Sequence, residues 1–204
     1  MSASRSFSVG TIGAGNVAQA IAAHAVAAGY QITLSNSRGP ESLAELVDRL
    51  GPNASAGTVA EAAQADLVIL AVGWDQVPKA VQGLPDWDGR VVIDATNQWH
   101  AGPGTEVDLG DQTGSERNAA LMPGARVVKA FNTLYARVTA QSPRRADGSL
   151  VVFLAGDDAD AKATVSTFAD SLGFAPVDLG GLRAGRLMQV GGGPLSGLQV
   201  VKVA

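Results

Sequence analysis

The stretch "VGTIGAGNVAQA", residues 9–20, decides the fold. Its first four residues are apolar or small and predict a buried strand, whereas the alanine-rich run after it predicts a helix. Between the two lies "GAGNVA", residues 13–18, which has the spacing G-x-G-x-x-A. A glycine turn of this spacing, placed between a strand and a helix, is typical of dinucleotide-binding sites.

Each small residue of the turn has a physical reason. Gly13 permits the tight turn out of the strand, and Gly15 has no side chain to keep a pyrophosphate from the backbone. Ala18 keeps the helix close to the strand, and the N–H groups at the start of the helix can hold phosphate oxygens. The alternative is a glycine turn that only packs a helix against a strand.

The end of the second predicted strand, "TLSNSRGPES" at residues 33–42, indicates which dinucleotide binds. An acidic residue here would bind both hydroxyls of an adenosine ribose, but this stretch offers Ser37 and Arg38 at that point. Both side chains can donate hydrogen bonds to a 2′-phosphate, and the guanidinium adds positive charge. The stretch therefore predicts NADP(H), unless Arg38 is a solvated loop residue with no ligand.

Outward from this unit, strands and helices alternate to about residue 140. The alternation predicts an α/β fold, a doubly wound Rossmann-type parallel sheet with right-handed crossovers. We expect an NADP-binding Rossmann domain over residues 1–140, and a small C-terminal α/β extension over 141–204 that completes the sheet and the acceptor cleft. Strands are expected at 7–12, 30–34, 54–56, 67–72, 91–93, 127–130, 150–155 and 175–179, and helices at 16–28, 40–50, 59–65, 74–82, 115–121 and 158–172.

The composition excludes several classes of function. Hydrophobic residues make up 46% of the 204-residue chain and charged residues 17%, which indicates a packed globular core. The absence of cysteine excludes disulfides, thiolate zinc sites and a cysteine nucleophile. A net charge of −4 without a basic face argues against nucleic acid as a partner. No apolar run predicts a membrane span and no signal peptide is evident, so a cytoplasmic protein is expected.

Several stretches together resemble a known family. They are "GTIGAGNVAQAIAAHAVAAGYQITLSNSRG" (10–39), "LVILAVGWDQV" (67–77), "VVIDATNQW" (91–99), "VVKAFNTL" (127–134) and "AGDDADAK…LGFAPVDLG" (155–180). The chain resembles the NADPH-dependent deazaflavin reductases, the F420-dependent NADP oxidoreductase family. It is also similar to the cytoplasmic reductase domain of the six-transmembrane metalloreductases.

The resemblance implies a homodimer that binds NADP(H) across the strand ends and passes a hydride directly to deazaflavin F420 or a related flavin. Such a reaction needs proximity more than a general acid, so we expect no catalytic side chain and no metal. By position, the resemblance implies cofactor contacts at Gly13, Ala14, Gly15, Asn16, Val17, Ser37, Arg38, Ala71, Val72, Gly73, Asn97 and Ala130.

The acceptor is expected near three strand ends, where ligands of open α/β sheets collect. The predicted acceptor residues are Trp74, Trp99, Asn132, Thr133 and Met188, with Gly191–Ser196 suited to close over them. Trp74 could equally plug the sheet edge, and Asn132 with Thr133 could cap a helix instead. His24 is interpreted as a structural histidine, and His100 as either an acceptor-site or a loop residue.

Three functions remain open from the sequence. The first is an NADP(H)-dependent oxidoreductase that acts on a small-molecule acceptor, a deazaflavin or a flavin. The second is a flavin or ferric reductase that uses NADPH. The third belongs to another class, a non-catalytic module that only binds NADP(H).

Overall fold

A computed structural model describes residues 7–100, 105–189 and 192–203 of the chain. Within these ranges ten strands form a central sheet with helices packed on both faces. The strands are β1 Val9–Ile12, β2 Ile32–Ser35, β3 Ala54–Ala56, β4 Leu67–Leu70, β5 Val91–Asp94, β6 Arg126–Ala130, β7 Arg144–Arg145, β8 Gly148–Gly156, β9 Ala175–Asp178 and β10 Val201–Val203. The helices are α1 Asn16–Ala27, α2 Ala44–Leu50, α3 Val59–Ala62, α4 Val77–Val81, α5 Gly114–Ala120, α6 Ala136–Thr139 and α7 Ala159–Ser171.

The first six strands pair in the order β3-β2-β1-β4-β5-β6, and every neighbouring pair is parallel. This order confirms the predicted Rossmann-type α/β fold. Parallel strands with helices on both faces are buried throughout, which is why β4 is a continuous apolar run. The order reverses between β1 and β4, and a crevice opens at such a reversal.

The later strands depart from the parallel pattern. β8 pairs antiparallel with β6 through its last residues, whereas its first residues pair antiparallel with β7 and β10. β9 returns parallel to β8. Alternation in the sequence does not encode this reversal, because the direction of a strand depends on the crossover that precedes it. The sheet is therefore mostly parallel, with antiparallel strands at one edge.

The core lies on both faces of the sheet. One face packs against α1, α2 and α7, with Ile21, Leu46 and Phe168 among its buried side chains. The other face packs Val77, Trp87 and Met122 against the sheet. Across the described ranges, no helix is both long and apolar enough to cross a membrane.

The predicted helix over residues 74–82 is split. A 3₁₀ turn covers Trp74–Gln76, and α4 then begins at Val77. Pro78 explains the split, because its missing N–H is tolerated in the first turn of a helix but not in the interior. Thr58 caps α3: its hydroxyl accepts a hydrogen bond from the Glu61 N–H, in a capping box that starts the helix.

Candidate functional site

A cleft opens at the carboxyl ends of the strands, beside the reversal between β1 and β4. Its volume is about 360 Å³. Sixteen of the described residues line it, and nine of these were predicted cofactor or acceptor residues: Val17, Ala71, Val72, Gly73, Trp74, Asn97, Trp99, Asn132 and Thr133. Segments that are distant in sequence therefore meet at one place, as strand ends of a parallel sheet should.

Gly13 is required by the fold. Its φ angle of +105° lies in the left-handed region, and a Cβ atom here would stand 2.4 Å from the Ala71 carbonyl oxygen. The turn thus brings the end of β1 against the end of β4, which only glycine allows. The Gly13 N–H also donates to the Ser35 carbonyl, 3.1 Å away.

Gly15 differs from Gly13 although both belong to the same turn. Its φ angle is −74°, which any residue can adopt, and nothing lies within 4 Å of the position of a Cβ atom. The fold therefore does not need a glycine here. An open space over the first turn of α1, beside Asn16 and the partly exposed Ala14, is what a bound pyrophosphate would require.

Ser37 and Arg38 lie on the surface after β2. Both are exposed, and the Arg38 N–H donates to Asn36 Oδ1, 2.8 Å away. Within the described part of the chain, the Arg38 guanidinium has no ion-pair partner. The group is thus free to bind an anion such as a 2′-phosphate.

Asn97 and Asn132 join the ends of β5 and β6. Asn132 Nδ2 donates to Asn97 Oδ1 at 2.9 Å, and Asn97 Nδ2 donates to the Asn132 carbonyl at 3.1 Å. Asn132 Nδ2 also donates to the Met188 carbonyl at 2.8 Å. The Asn132 Oδ1 atom is buried at the cleft and has no hydrogen-bond partner among the described residues. A buried acceptor without a donor is costly, and the described residues supply none.

Phe131 explains how Asn132 reaches the cleft. Its φ angle is +61°, which is uncommon for a bulky residue, and its ring packs edge-on against Phe174 with centroids 5.6 Å apart. Because the ring is buried, the packing holds the strained backbone. The chain turns out of β6 at this residue and presents Asn132 and Thr133 to the cleft.

The two tryptophans line the cleft from different elements. Trp74 Nε1 donates to the Gly114 carbonyl at 3.3 Å. Gln98 supports the same region, because its Oε1 atom accepts from the Gly114 N–H at 2.9 Å. The Trp74 ring is thus tied to the start of α5, while Trp99 lies one residue beyond Gln98. Both indoles offer flat apolar surface to a ring-shaped ligand.

Some predicted residues lie outside the cleft lining. Ala130 is buried within β6, and Met188 contributes its carbonyl to Asn132 from behind the cleft. His24 bonds the Thr139 carbonyl at 2.7 Å between α1 and α6, and the exposed His100 does not line the cleft. In the described ranges, no cluster of acidic and histidine side chains could hold a metal ion.

The predicted closing segment, Gly191–Ser196, begins at a residue that lies outside the described ranges. The chain just after it does reach the site, since Gly197 lines the cleft and its N–H donates to the Thr133 carbonyl at 2.9 Å.

Sequence reasoning missed part of the site. The cleft is also lined by Asp75, Ala95, Thr96, Leu134, Tyr135, Ala136 and Gly197. Behind Thr96 lies a buried polar cluster of Asp94, Ser115, Asn118 and Lys129. Burial lowers the pKa of the Lys129 ammonium below its usual range, and the Asp94 carboxylate partly opposes that shift. The sequence did contain an indication of this buried cluster, because each of the apolar runs "VVIDAT" and "VVKAF" contains one charged residue.

Comparisons with known proteins agree with this geometry. Residues 8–98 match the family described as NADP oxidoreductase, coenzyme F420-dependent. The rat metalloreductase STEAP3 is 32% identical over 180 residues, which are 87% of this chain and 35% of that protein. The chain thus spans about a third of the length of the curated relatives that it matches.

Two solved structures are similar over most of their length. A hypothetical protein from Sinorhizobium meliloti has a TM-score of 0.90 and 43% identity, with 96% of each chain covered. A candidate F420-dependent NADP-reductase from Arthrobacter sp. FB24 has a TM-score of 0.70 and 25% identity, with 86% of this chain and 85% of that one covered. Together with the matched turn and strand ends, these similarities place residues 8–98 in the family of coenzyme F420-dependent NADP oxidoreductases.

Proposed function

We propose that this NADP-dependent oxidoreductase passes a hydride between NADPH and a flat conjugated ring, a deazaflavin such as F420 or a flavin, held in the cleft. The observation that carries the proposal is the composition of the cleft. Its described lining is indole, aliphatic, amide and hydroxyl, and the titratable side chains among these described residues are Asp75 and Tyr135. Such a cleft suits direct hydride transfer, which needs stacking and exclusion of water but no general acid.

Three features support NADP(H) as the bound nucleotide. Gly15 leaves room for the pyrophosphate over the start of α1, and the guanidinium of Arg38 is available for the 2′-phosphate. The buried Asn132 Oδ1 atom lacks a donor, which the nicotinamide carboxamide would supply. When bound, NADPH supplies the hydride. The cofactor and acceptor residues of this proposal are those expected from the sequence; the cofactor residue Ala130 and the acceptor residue Met188 act from behind the cleft.

In this proposal the protein's side chains orient the two rings. Asn97 and Asn132 hold each other at the base of the cleft, so that the nicotinamide face is fixed relative to the strand ends. Trp74 and Trp99 cover the acceptor and exclude water, which favours transfer over side reactions. The acceptor ring exchanges its proton with solvent when the cleft is open, because the amides of Asn97 and Asn132 at its base carry no transferable proton.

A flavin-dependent ferric reductase is the second candidate. The similarity to the rat metalloreductase over 87% of the chain favours it. Here NADPH would reduce a free flavin by hydride transfer, and the reduced flavin would pass single electrons to a ferric chelate. The same cleft serves both candidates, so only the acceptor distinguishes them.

The test is to measure oxidation of NADPH with F420, FMN, and ferric chelate with and without FMN, side by side. Reduction of F420 or FMN supports the leading candidate, and iron reduction that depends on FMN supports the second. NADPH binding without turnover on any acceptor would contradict both and leave a module that only binds NADP(H).

The proposal includes a cytoplasmic homodimer. Exposed apolar side chains at the antiparallel edge of the sheet, Leu198, Val200 and Val203, support a second copy as the partner there. Sedimentation of the purified protein tests this part, and a monomer at high concentration would contradict it.

A further inference from the structure

Lys129 is a fully buried cation that the proposed reaction does not use. It lies in β6, is 1% exposed and does not line the cleft. Its ammonium donates to the Thr96 carbonyl at 3.0 Å and to Ser115 Oγ at 3.1 Å. A Cβ atom at Gly185 would stand 2.8 Å from Lys129 Cδ, so the chain packs directly on the lysine stem.

Lys129 belongs to a cluster whose members converge on Thr96. The Thr96 N–H donates to Asp94 Oδ1 at 2.9 Å, and Asn118 Nδ2 donates to Thr96 Oγ1 at 3.1 Å. Asn118 Nδ2 also donates to Asp94 Oδ2 at 3.0 Å. With the bond from Lys129, the N–H, the hydroxyl and the carbonyl of Thr96 are each held by a different buried side chain.

The two charges of the cluster do not form a contact ion pair. Asp94 and Lys129 face each other in the register of β5 and β6, but the described carboxylates all lie more than 4 Å from the ammonium. The charges instead meet through Thr96. Burying an ammonium in this way is expensive, and an apolar side chain of similar length would often be as stable or more so. Stability therefore does not explain why a lysine occupies this position.

Thr96 is the point at which the cluster reaches the site. It lines the cleft, and the next residue, Asn97, forms the reciprocal pair with Asn132. A shift of the Thr96 carbonyl would rotate the peptide that leads into Asn97. Such a shift would move the amide at the base of the cleft, where displacements of about 1 Å can cost about a hundredfold in rate.

We propose that Lys129 is a positioning residue: by holding the Thr96 carbonyl, it fixes the Thr96-Asn97 wall of the cleft in the geometry needed for hydride transfer. The proposal rests on the proposed function, since it names a residue that serves the same cleft. Lys129 itself touches neither nucleotide nor acceptor. Burial lowers the pKa of Lys129, and the nearby Asp94 carboxylate partly opposes that shift.

The test compares Lys129→Met with Lys162→Met. Methionine keeps the length of the stem and removes the donors. Lys162 forms a salt bridge of 2.9 Å with Asp178 far from the cleft, so it is a matched control. In the folded fraction of Lys129→Met, single-turnover hydride transfer from NADPH should fall about tenfold or more, while NADPH affinity changes less than threefold. The control should keep the wild-type rate.

Amide hydrogen exchange of residues 94–99 without any nucleotide gives a readout that does not depend on activity. It should accelerate in Lys129→Met and stay unchanged in Lys162→Met. If the wild-type protein reduces no acceptor, the proposed function fails, and exchange alone decides whether Lys129 holds the wall. Unchanged exchange with a wild-type rate would overturn the positioning role.

A second variant distinguishes the loss of positioning from a loss of folding. Lys129→Met leaves Asp94 as a buried carboxylate without its nearby cation, which could itself unfold the protein. The double variant Asp94→Asn/Lys129→Met removes both charges. The slow transfer should persist in the double variant, because the Thr96 carbonyl still lacks its donor. A folded double variant with wild-type rate and exchange would overturn the proposal, as would a rate loss that equals the unfolded fraction.

Discussion

The two ends of the proposed nucleotide site are built differently. At the cleft, Thr96, Asn97 and Asn132 are held by hydrogen bonds between strand ends, and the strained Phe131 is held by packing. At the other end, Ser37 and Arg38 are exposed on a loop. One end is preorganised before any ligand arrives, whereas the other presents free donors and charge.

The difference matches the two tasks. Hydride transfer depends on sub-ångström placement of two rings, so rigidity at the cleft raises the rate. Recognition of a phosphate depends on charge at longer range, which a mobile guanidinium supplies and which salt screens. Substitutions at the cleft should therefore act on rate, and substitutions at the loop should act on affinity.

The largest effect is expected between the two ends, at Gly15→Val. The added side chain would occupy the open space over α1 where the pyrophosphate must lie, so NADPH binding should weaken by a hundredfold or more, worth about 3 kcal/mol. The apoprotein should lose no more than about 4 °C in Tm, because φ at Gly15 suits any residue. Calorimetric titration and thermal unfolding measure both.

Gly13→Ala is the contrasting variant for that experiment. It should destabilise the apoprotein strongly, since the backbone is left-handed and the Ala71 carbonyl is in the way. Equal melting temperatures for the two variants would contradict the assignment of one glycine to the fold and the other to the ligand.

Next in size is Asn132→Ala, at the rigid end. The substitution removes the bonds to Asn97 and Met188, so hydride transfer should slow about ten- to a hundredfold. NADPH affinity should fall by a smaller factor than the transfer rate, because the carboxamide loses one acceptor while the phosphate contacts remain. Stopped-flow transfer rates and binding titrations separate the two quantities. Trp74→Ala should behave alike, and wild-type rates in both variants would show that the acceptor binds elsewhere.

A smaller effect is expected at the exposed end, from Arg38→Ala. Loss of a charged hydrogen bond costs about 1.5–3 kcal/mol, so NADPH should bind about tenfold or more weakly while NADH binding stays unchanged. Arg90→Ala, remote from the site, is the control. Titrations at two salt concentrations should show the preference for NADPH shrinking as salt rises. A variant that still prefers NADPH as strongly as wild type would remove Arg38 from the site.

The smallest effect concerns neither end. Hydrogen bonds from the Ser8 backbone and hydroxyl lower the pKa of Asp66, which lies just before β4 at the amino ends of the strands. A carboxyl whose folded pKa is lowered adds stability above its unfolded pKa of about 4, and that stability is lost as the pH falls through the folded value. In Asp66→Asn, the free energy of unfolding should therefore fall less steeply as the pH is lowered below about 4, and hydride transfer should not change. An unchanged slope in acid would show that the bond to Ser8 adds no stability.

The sequence was most informative where periodicity and turn chemistry act locally. The parallel strands and the glycine turn were predicted correctly. Buried apolar runs and the G-x-G-x-x-A spacing are each compatible with few local structures other than these. The predicted strand at 67–72 is shorter in the structure, because Ala71 and Val72 leave the sheet to line the cleft. Apolar character alone cannot separate a strand residue from a cleft residue.

Features that depend on contacts between distant residues were not predicted from the sequence. The antiparallel direction of β8 depends on pairing between residues about 25 apart, which local patterns do not record. The cluster around Thr96 needs Asp94, Asn118 and Lys129 to meet from three elements. The one local indication of this cluster was a charged residue inside each apolar strand. Such a residue predicts a buried polar partner, because an unpaired buried charge is costly.

The pairing of β8 has a consequence for how the chain is made. During synthesis β6 emerges long before its last neighbour, so the parallel sheet has an open edge until residues 154–156 are available. An open edge of this kind is a template for pairing with other chains. β8 can pair with β6 and β7 as soon as it is made, whereas its pairings with β9 and β10 wait for later parts of the chain. Nascent chains that stall before β8 should accordingly be the species that depend most on chaperones.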